Sequence, residues 1–228
     1  VQGFCVGYLK LQPFIVTMAG MFFGRGMTAV ICTEQVSVSS SELFVKIAQA
    51  KIELPFGAYT NNRGVLQVPY VRIPVVIALI VLILVFLMLK YTKFGRSLYA
   101  VGGSEQSAVM MGLDVAKTKL KAYVLSSVLC SIGGICYCLN TMSGSVQQAT
   151  GLEMDAISSA VIGGTLLTGG VGNVIGSFFG VLINGTISTL VKTNGKLLSS
   201  WSNIAVAALL CFFIILQSVF AKLKEKNK

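Results

Sequence analysis

Residues 71–89 read VRIPVVIALIVLILVFLML, a run of 19 positions interrupted only by Arg72 and Pro74, both near its start. An α-helix rises about 1.5 Å per residue, so this run would form a helix about 28 Å long. The hydrocarbon core of a lipid bilayer is about 30 Å thick. The sequence therefore predicts a helix that crosses a membrane.

Further apolar stretches extend this pattern along the chain. Three are secure and contain no acidic residue, namely 120–139, 171–191 and 204–220. Two are weaker, because residues 14–32 include Arg25 with several Gly and Thr residues, and residues 156–167 are too few to cross untilted. Short apolar pieces flanked by glycine are typical of broken or re-entrant helices. We therefore predict an all-α fold, a polytopic transmembrane helical bundle with broken or re-entrant helices, as one domain over 1–228.

The composition also indicates a lipid environment. Only 11% of the residues are charged and 54% are hydrophobic, whereas soluble domains carry about 25% charged residues, and the mean hydropathy is +0.80. The net charge of +10 would favour nucleic-acid binding in a soluble protein, but here the basic residues cluster in two segments. We predict a lipid bilayer as a partner and no nucleic acid.

Residue types needed for catalysis are scarce. The chain has no histidine, which removes Ser-His-Asp and Cys-His catalysis and the commonest metal ligand. The six cysteines lie in apolar stretches without C-x-x-C spacing and are interpreted as packing residues. Glu153 and Asp155 could form a carboxylate pair for acid–base work or cation coupling, but we favour Asp155 as the cap of a helix that starts at Ala156. We predict no catalytic residue and no metal site.

Basic residues orient the chain, because cytoplasmic segments of membrane proteins carry an excess of Lys and Arg. Segment 90–121 has six basic residues and two acidic ones, and the tail 221–228 has four basic residues and one acidic residue. Both are predicted to be cytoplasmic, which places the C-terminus inside. The stretch 33–70 is nearly balanced in charge and contains turn signals at 55–57 and 61–64, so it is predicted to face outward.

This orientation constrains the number of crossings. Two cytoplasmic segments must be joined by an even number of spans, but only three strong spans follow residue 121. Segment 156–167 must then supply the fourth. We predict that it reaches the cytoplasmic side as a short helix followed by a glycine turn at 169–172.

Small residues recur at helical spacing on two predicted spans. One stripe consists of Gly172, Gly176 and Gly180, followed by Asn184 and Ser188. The other consists of Ser126, Cys130, Gly134 and Cys138. Residues four apart share one helix face, so each stripe predicts a close helix neighbour. Asn184 stands apart, since an amide at mid-membrane depth must bond to a helix, to water or to a solute.

Segment 90–121 is the most informative polar part of the chain. It predicts a short helix over 105–111, with Ser104 as its N-cap and Gly112 as its end. Met110, Met111 and Leu113 would form an apolar tip on an otherwise polar loop. Such a tip indicates a groove on a partner protein. The alternative is that it folds back onto the membrane face.

These segments together resemble a known family, the inner-membrane permeases of ribose, xylose and galactose-type ATP-binding-cassette (ABC) importers. The resemblance lies in FGRSLYAVGG (94–103) with SA and GL at 107–108 and 112–113, in EMDAI (153–157) with VIGGT (161–165), and in PFIVTMAGMFF (13–23). Within the family the sequence is most similar to the galactofuranose subgroup, through 13–26 and GTLLTGG (164–170). The resemblance also implies that N-terminal helices of the family are missing, since the chain opens at Val1 without an initiator Met.

The resemblance implies a function for each of these parts. Segment 90–121 would be the coupling loop that docks into cytoplasmic ATPase subunits, through Gly102, Gly103, Ser104, Glu105, Ala108, Met110, Met111, Gly112 and Leu113. An extracytoplasmic sugar-binding protein would deliver the solute, and a second permease copy or a paralogue would complete the membrane part. The setting would be a bacterial cytoplasmic (inner) membrane. Candidate groups along the substrate path are Thr17, Asn140, Gln147, Thr165, Asn173 and Asn184.

The chain itself has no Walker A pattern, because Gly195-Lys196 is followed by Leu197. We therefore predict no cofactor in this chain, with ATP and Mg bound by the partner subunit. Two other classes are disfavoured: an ion-coupled transporter would need buried acids within the spans, and a membrane hydrolase would need a nucleophile beside a base. A non-transporting membrane scaffold remains an alternative, favoured if segment 90–121 binds no ATPase.

Overall fold

The computed structural model describes residues 1–38, 41–53, 59–60, 66–67, 70–193, 201, 204 and 206–216. Helices dominate this part of the chain. In chain order they are α1 (Gln2–Gly7), α2 (Pro13–Ile31), α3 (Glu42–Gln49), α4 (Ile73–Tyr91), α5 (Lys93–Gly103), α6 (Glu105–Met110), α7 (Val115–Thr141), α8 (Leu152–Ile162), α9 (Val174–Thr193) and α10 (Val206–Leu216).

Four of these helices are long and apolar enough to cross a membrane: Pro13–Ile31, Ile73–Tyr91, Val115–Thr141 and Val174–Val191. Between 0% and 11% of the most apolar part of each helix is buried within the chain. Apolar side chains that face away from their own chain are expected where hydrocarbon is the solvent. The predicted polytopic helical fold is confirmed.

The helix boundaries differ in places from those predicted. The weak candidate 14–32 forms one continuous helix, α2. Within it, the hydroxyls of Thr17 and Thr28 donate to the carbonyls of Pro13 and Gly24, each at 2.9 Å, so both hydroxyls are paired inside the helix. Helix α7 begins at Val115, five residues before the predicted start. Of the predicted span 204–220, the structure describes α10; residues 217–220, the basic tail and the turns at 55–57 and 61–64 lie outside the described residues.

Short antiparallel strand pairs accompany the helices, although the prediction contained no strands. The strands are β1 (Val36–Ser37), β2 (Lys51–Glu53), β3 (Tyr59–Thr60), β4 (Leu66–Gln67), β5 (Tyr70–Arg72) and β6 (Ser143–Gly144). They pair as β1 with β6, β2 with β5 and β3 with β4. In the pair of β2 with β5, Ile52 lies opposite Val71. Most of them fall in or beside the stretch 33–70 that was predicted to face outward.

The chain divides into two compact units. The first unit comprises Val1–Leu87 and Val115–Gln148, and the second comprises Met88–Asp114 and Ala149–Lys228. Segment 90–121 is therefore split, with α5 and α6 in the second unit and the start of α7 in the first. The single domain predicted over 1–228 stays a prediction.

In the first unit, α1 packs against the first half of α7. A Cβ atom at Gly3 would lie 2.8 Å from the Cβ of Tyr123, and one at Gly7 would lie 2.9 Å from the carbonyl oxygen of Ala116. The stripe through Gly134 was predicted to meet a close neighbour, but no heavy atom of the described residues lies within 4 Å of a Cβ placed there. The close packing of α7 is thus on its N-terminal half, where the partner glycines belong to α1.

Candidate functional site

Segment 90–121 is mostly helical, whereas only its short helix was predicted. Helix α6 is present, and the Ser104 hydroxyl caps it by accepting a hydrogen bond from the Ser107 N–H at 3.2 Å. Helix α5 was missed because its three glycines suggest a loop. The signal that could have revealed it is Thr92, whose hydroxyl accepts from the Gly95 N–H at 3.1 Å and caps α5.

The end of α6 forms a Schellman turn. Gly112 has φ +76°, its N–H donates to the carbonyl of Val109 at 2.9 Å, and the Leu113 N–H donates to the carbonyl of Ala108 at 3.0 Å. Ala108 is fully buried, while Met110 is 89% exposed. The exposed residues next to it complete an apolar knob made of Val109, Met110 and Met111. Leu113, placed in the tip by the sequence, is half-buried.

The C-terminal end of α5 lies against the glycine turn (residues 169–172). A Cβ at Gly102 would lie 2.8 Å from the Gly170 nitrogen, and one at Gly169 would lie 2.6 Å from the Gly102 carbonyl oxygen. The Tyr99 hydroxyl donates to the Gly172 carbonyl at 3.0 Å. The predicted glycine turn therefore follows the short helix α8 and lies at the same end of the second unit as α5, while the fourth crossing and the cytoplasmic location of the turn stay predictions.

Glycines also bring α8 and α9 together. A Cβ at Gly176 would overlap the backbone of Gly163, and one at Gly180 would overlap the Ser159 carbonyl oxygen. The predicted packing stripe on α9 thus faces α8, with a Cβ at Gly172 3.2 Å from the Thr165 side chain. We refer to α8, the glycine turn and α9 as the α8–α9 hairpin.

A buried hydrogen-bond cluster lies between the two helices of this hairpin. Asn184 is 7% exposed, and its Nδ2 donates to the hydroxyls of Ser159 at 3.1 Å and Ser158 at 3.3 Å and to the Asp155 carbonyl at 3.4 Å. Both serine hydroxyls in turn donate to that same carbonyl. The amide predicted to line the substrate path is therefore bonded to α8.

The start of α8 corrects one prediction. The helix begins at Leu152, and Gly151 is its N-cap with φ 89°. Asp155 was predicted to cap a helix beginning at Ala156, which is wrong, because a glycine in the left-handed region lets the helix start one turn earlier. Asp155 and Glu153 both lie in the first turn of α8, where acidic side chains favour the helix dipole.

The other predicted path residues fall in both units. In the first unit, Thr17 bonds within α2, Asn140 Oδ1 accepts from Arg72 Nη1 at 3.1 Å, and Gln147 is exposed after β6. In the second unit, Thr165 and Asn173 flank the glycine turn, and Asn173 Oδ1 accepts from the Ile175 N–H at 3.1 Å as the N-cap of α9. Their part in a path stays a prediction.

Asn184→Ala is expected to lower the free energy of unfolding by about 1–3 kcal/mol, because the buried amide no longer donates to the hydroxyls of Ser158 and Ser159 and to the Asp155 carbonyl. For a chain of this size, each kcal/mol shifts the melting temperature by about 2–4 °C. The measurement is thermal unfolding of the purified protein in detergent. Thr186→Ala is the matched control, since that exposed hydroxyl donates to the Leu182 carbonyl of its own helix. Equal melting temperatures for Asn184→Ala and the unchanged protein would contradict the role of the cluster.

The described residues of this site contribute packing contacts and hydrogen bonds. Within the described ranges, no group of three or more His, Cys, Asp or Glu residues is placed to hold a metal ion. The described cysteines are free thiols. The second unit thus combines an exposed apolar knob with a glycine-packed helical hairpin, and α5 connects the two.

Comparison with known proteins gives the family. The chain belongs to the family described as branched-chain amino acid transport system / permease component, which matches residues 1–219. It is 36% identical to the inner membrane ABC transporter permease protein YjfF of Escherichia coli, over all of this chain and 65% of the relative. It is 32% identical to the fructose import permease protein FruG of Bifidobacterium longum, over 95% of this chain and 62% of the relative.

A third relative is the ribose import permease protein RbsC of Escherichia coli, 34% identical over 95% of this chain and 63% of the relative. The chain thus spans less than two thirds of the length of these relatives. No solved structure matches it. The predicted membership of an ABC permease family is confirmed, and members of this family are transport components rather than enzymes.

Proposed function

We propose that this chain is part of the permease subunit of an ABC importer that carries a monosaccharide across the cytoplasmic membrane of a bacterium. The observation that supports this most strongly is the likeness over 95% of the chain to permeases named for fructose and ribose. Within the sugar importers, we infer the galactofuranose subgroup, on the residues 13–26 and 164–170 that carry the likeness.

A sugar fits the polar groups of the spans better than an amino acid does. An amino acid carries two opposite charges, which need charged partners in the membrane, whereas a neutral sugar needs hydrogen-bond partners. The four candidate spans contain no Asp or Glu. An ion-coupled transporter would normally place acidic residues there, so the same fact disfavours that alternative.

The mechanism we propose assigns a task to each part. An extracytoplasmic binding protein delivers the sugar. Two ATPase subunits bind from the cytoplasm, each to the apolar knob of one permease copy. Nucleotide binding closes the ATPases, moves the knob and shifts the helices between outward-open and inward-open states. ATP and Mg belong to the ATPase subunits, and a second copy of this permease or a paralogue completes the path.

Reconstitution of the full-length permease with its ATPase and binding protein tests this proposal. We expect one of ribose, fructose, arabinose, galactose or galactofuranose to raise ATP hydrolysis and to accumulate in proteoliposomes only with ATP. Uptake driven by an ion gradient without ATP would indicate the ion-coupled alternative. An assembled complex with no ATPase attached would indicate that the protein is a non-transporting membrane scaffold. Strong labelling of a cysteine introduced at Gln106 from the outer side would contradict the proposed orientation.

A further inference from the structure

The contact between α5 and the glycine turn has no side chain between the two backbones. The Gly102 backbone is so close to Gly170 that a methyl group at Gly102 would lie 2.8 Å from the Gly170 nitrogen. Real Cβ atoms essentially never lie within 3.0 Å of such a neighbour. Gly169 and Gly170 have φ +91° and +75°, which side chains other than glycine rarely adopt. Two segments far apart in sequence therefore meet with no flexible side chain to absorb a displacement.

Tyr99 adds a directed bond to this backbone contact. Its hydroxyl donates to the carbonyl of Gly172, the residue before the N-cap of α9. Tyr99 and Gly102 are three residues apart on α5 and so lie on one face of that helix. The glycine turn is thereby held at both ends, by Gly102 at its start and by Tyr99 at its end.

Both ends of the turn are themselves fixed to helices. At the end of α8, Gly164 has φ +88° and a Schellman turn forms, with the Thr165 N–H donating to the Ala160 carbonyl at 3.0 Å. At the start of α9, Asn173 caps the first turn. The two helices then interlock through Gly176 and Gly180. A displacement of the turn must move α8 and α9 together.

We propose that Tyr99 and Gly102 are positioning residues that transmit the movement of α6 to the α8–α9 hairpin. Helices α5 and α6, the turn and the hairpin all belong to the second compact unit. This inference rests on the proposed function, in which the ATPase moves the apolar knob on α6. The resemblance assigns Gly102 to the surface that docks into the ATPase, whereas the role proposed here is a contact with the turn. Both residues act by holding the turn against α5.

Tyr99→Phe and Gly102→Ala test the inference in the reconstituted complex of full-length permease, ATPase and binding protein. Tyr99→Phe removes only the hydroxyl, and we expect sugar imported per ATP hydrolysed to fall about fivefold, in line with the loss of one hydrogen bond. Gly102→Ala separates the backbones and should lower that ratio further. In both variants the amount of ATPase bound should equal that of the unchanged complex.

Gly133→Ala, in the interior of α7, is the matched control for Gly102→Ala. No heavy atom of the described residues lies within 4 Å of a Cβ placed at Gly133, so we expect an unchanged ratio of sugar to ATP. If Tyr99→Phe keeps the ratio of the unchanged complex, the inference is wrong, even if Gly102→Ala fails to fold. Binding of the ATPase to the unchanged complex is measured before any variant is made. If no ATPase binds, the proposed function is wrong, and this outcome is separate from a failure of the inference.

Discussion

Met110→Asp is expected to abolish sugar-stimulated ATP hydrolysis in the reconstituted complex, with a loss of at least about tenfold. Met110 is 89% exposed and belongs to the apolar knob, so it would be buried in a groove of the ATPase on docking. A carboxylate buried there without a partner costs several kcal/mol, and each 1.4 kcal/mol is a factor of about ten in affinity. Since Met110 touches little of its own chain, the permease itself should fold and insert normally.

The control for this variant is Leu167→Asp. Leu167 is 62% exposed and precedes the glycine turn in the same unit, but it lies outside the knob. We expect it to leave hydrolysis close to that of the unchanged complex. Met110→Leu, which keeps an apolar side chain of similar size, should also retain hydrolysis. ATPase binding and hydrolysis that survive Met110→Asp would show that the knob is not the docking surface.

The membrane spans were predictable because hydropathy acts over whole helices. An apolar run as long as 71–89 matches the thickness of a bilayer and favours a single helix. The observed helix, Ile73–Tyr91, begins and ends two residues after the predicted run. Glycine spacing was also informative, because α9 could approach α8 only along a face without side chains. The turn at 169–172 was predictable from its three glycines, whereas the crossing count that assigned it to the cytoplasmic side stays a prediction.

Features that depend on tertiary contacts were not predictable. Helix α5 contains Gly95, Gly102 and Gly103, which local propensity assigns to a loop, yet Gly102 is needed where α5 meets Gly170. Asp155 looked like a cap because no pattern shows that Gly151 adopts φ 89°. The partners of the Asn184 amide lie 25 to 29 positions earlier in the sequence, so the pattern could not show which groups it bonds, and its place on a substrate path stays a prediction. For Gly102 and Asn184 the deciding partners are distant in sequence, whereas Gly151 sets the start of α8 locally.

The hydrogen bonds of Asn184 connect the two helices of the hairpin. Its Nδ2 donates to the Asp155 carbonyl and to the hydroxyls of Ser158 and Ser159. The polar groups of the α8–α9 hairpin therefore stabilise the hairpin as a unit. Under the proposed function, such a hairpin would move as a whole when the contact at its turn is displaced.

Gly180→Ala is expected to destabilise the protein by about 3 kcal/mol, although alanine is the better helix former. The added methyl group would overlap the Ser159 carbonyl oxygen, so α8 and α9 would have to separate and weaken the bonds of Asn184. At about 2–4 °C per kcal/mol, the melting temperature in detergent should fall by roughly 6–12 °C. The yield of folded protein after extraction should fall as well.

Gly185→Ala on the same helix separates this packing effect from helix propensity. No heavy atom of the described residues lies within 4 Å of a Cβ placed at Gly185, so alanine there meets open space. Alanine in a helix interior is favoured over glycine by about 1 kcal/mol, so Gly185→Ala should leave the melting temperature unchanged or raise it slightly. The sign of the difference between the two variants is decisive. If both shift the melting temperature equally, the glycine at position 180 serves helix flexibility rather than contact with α8.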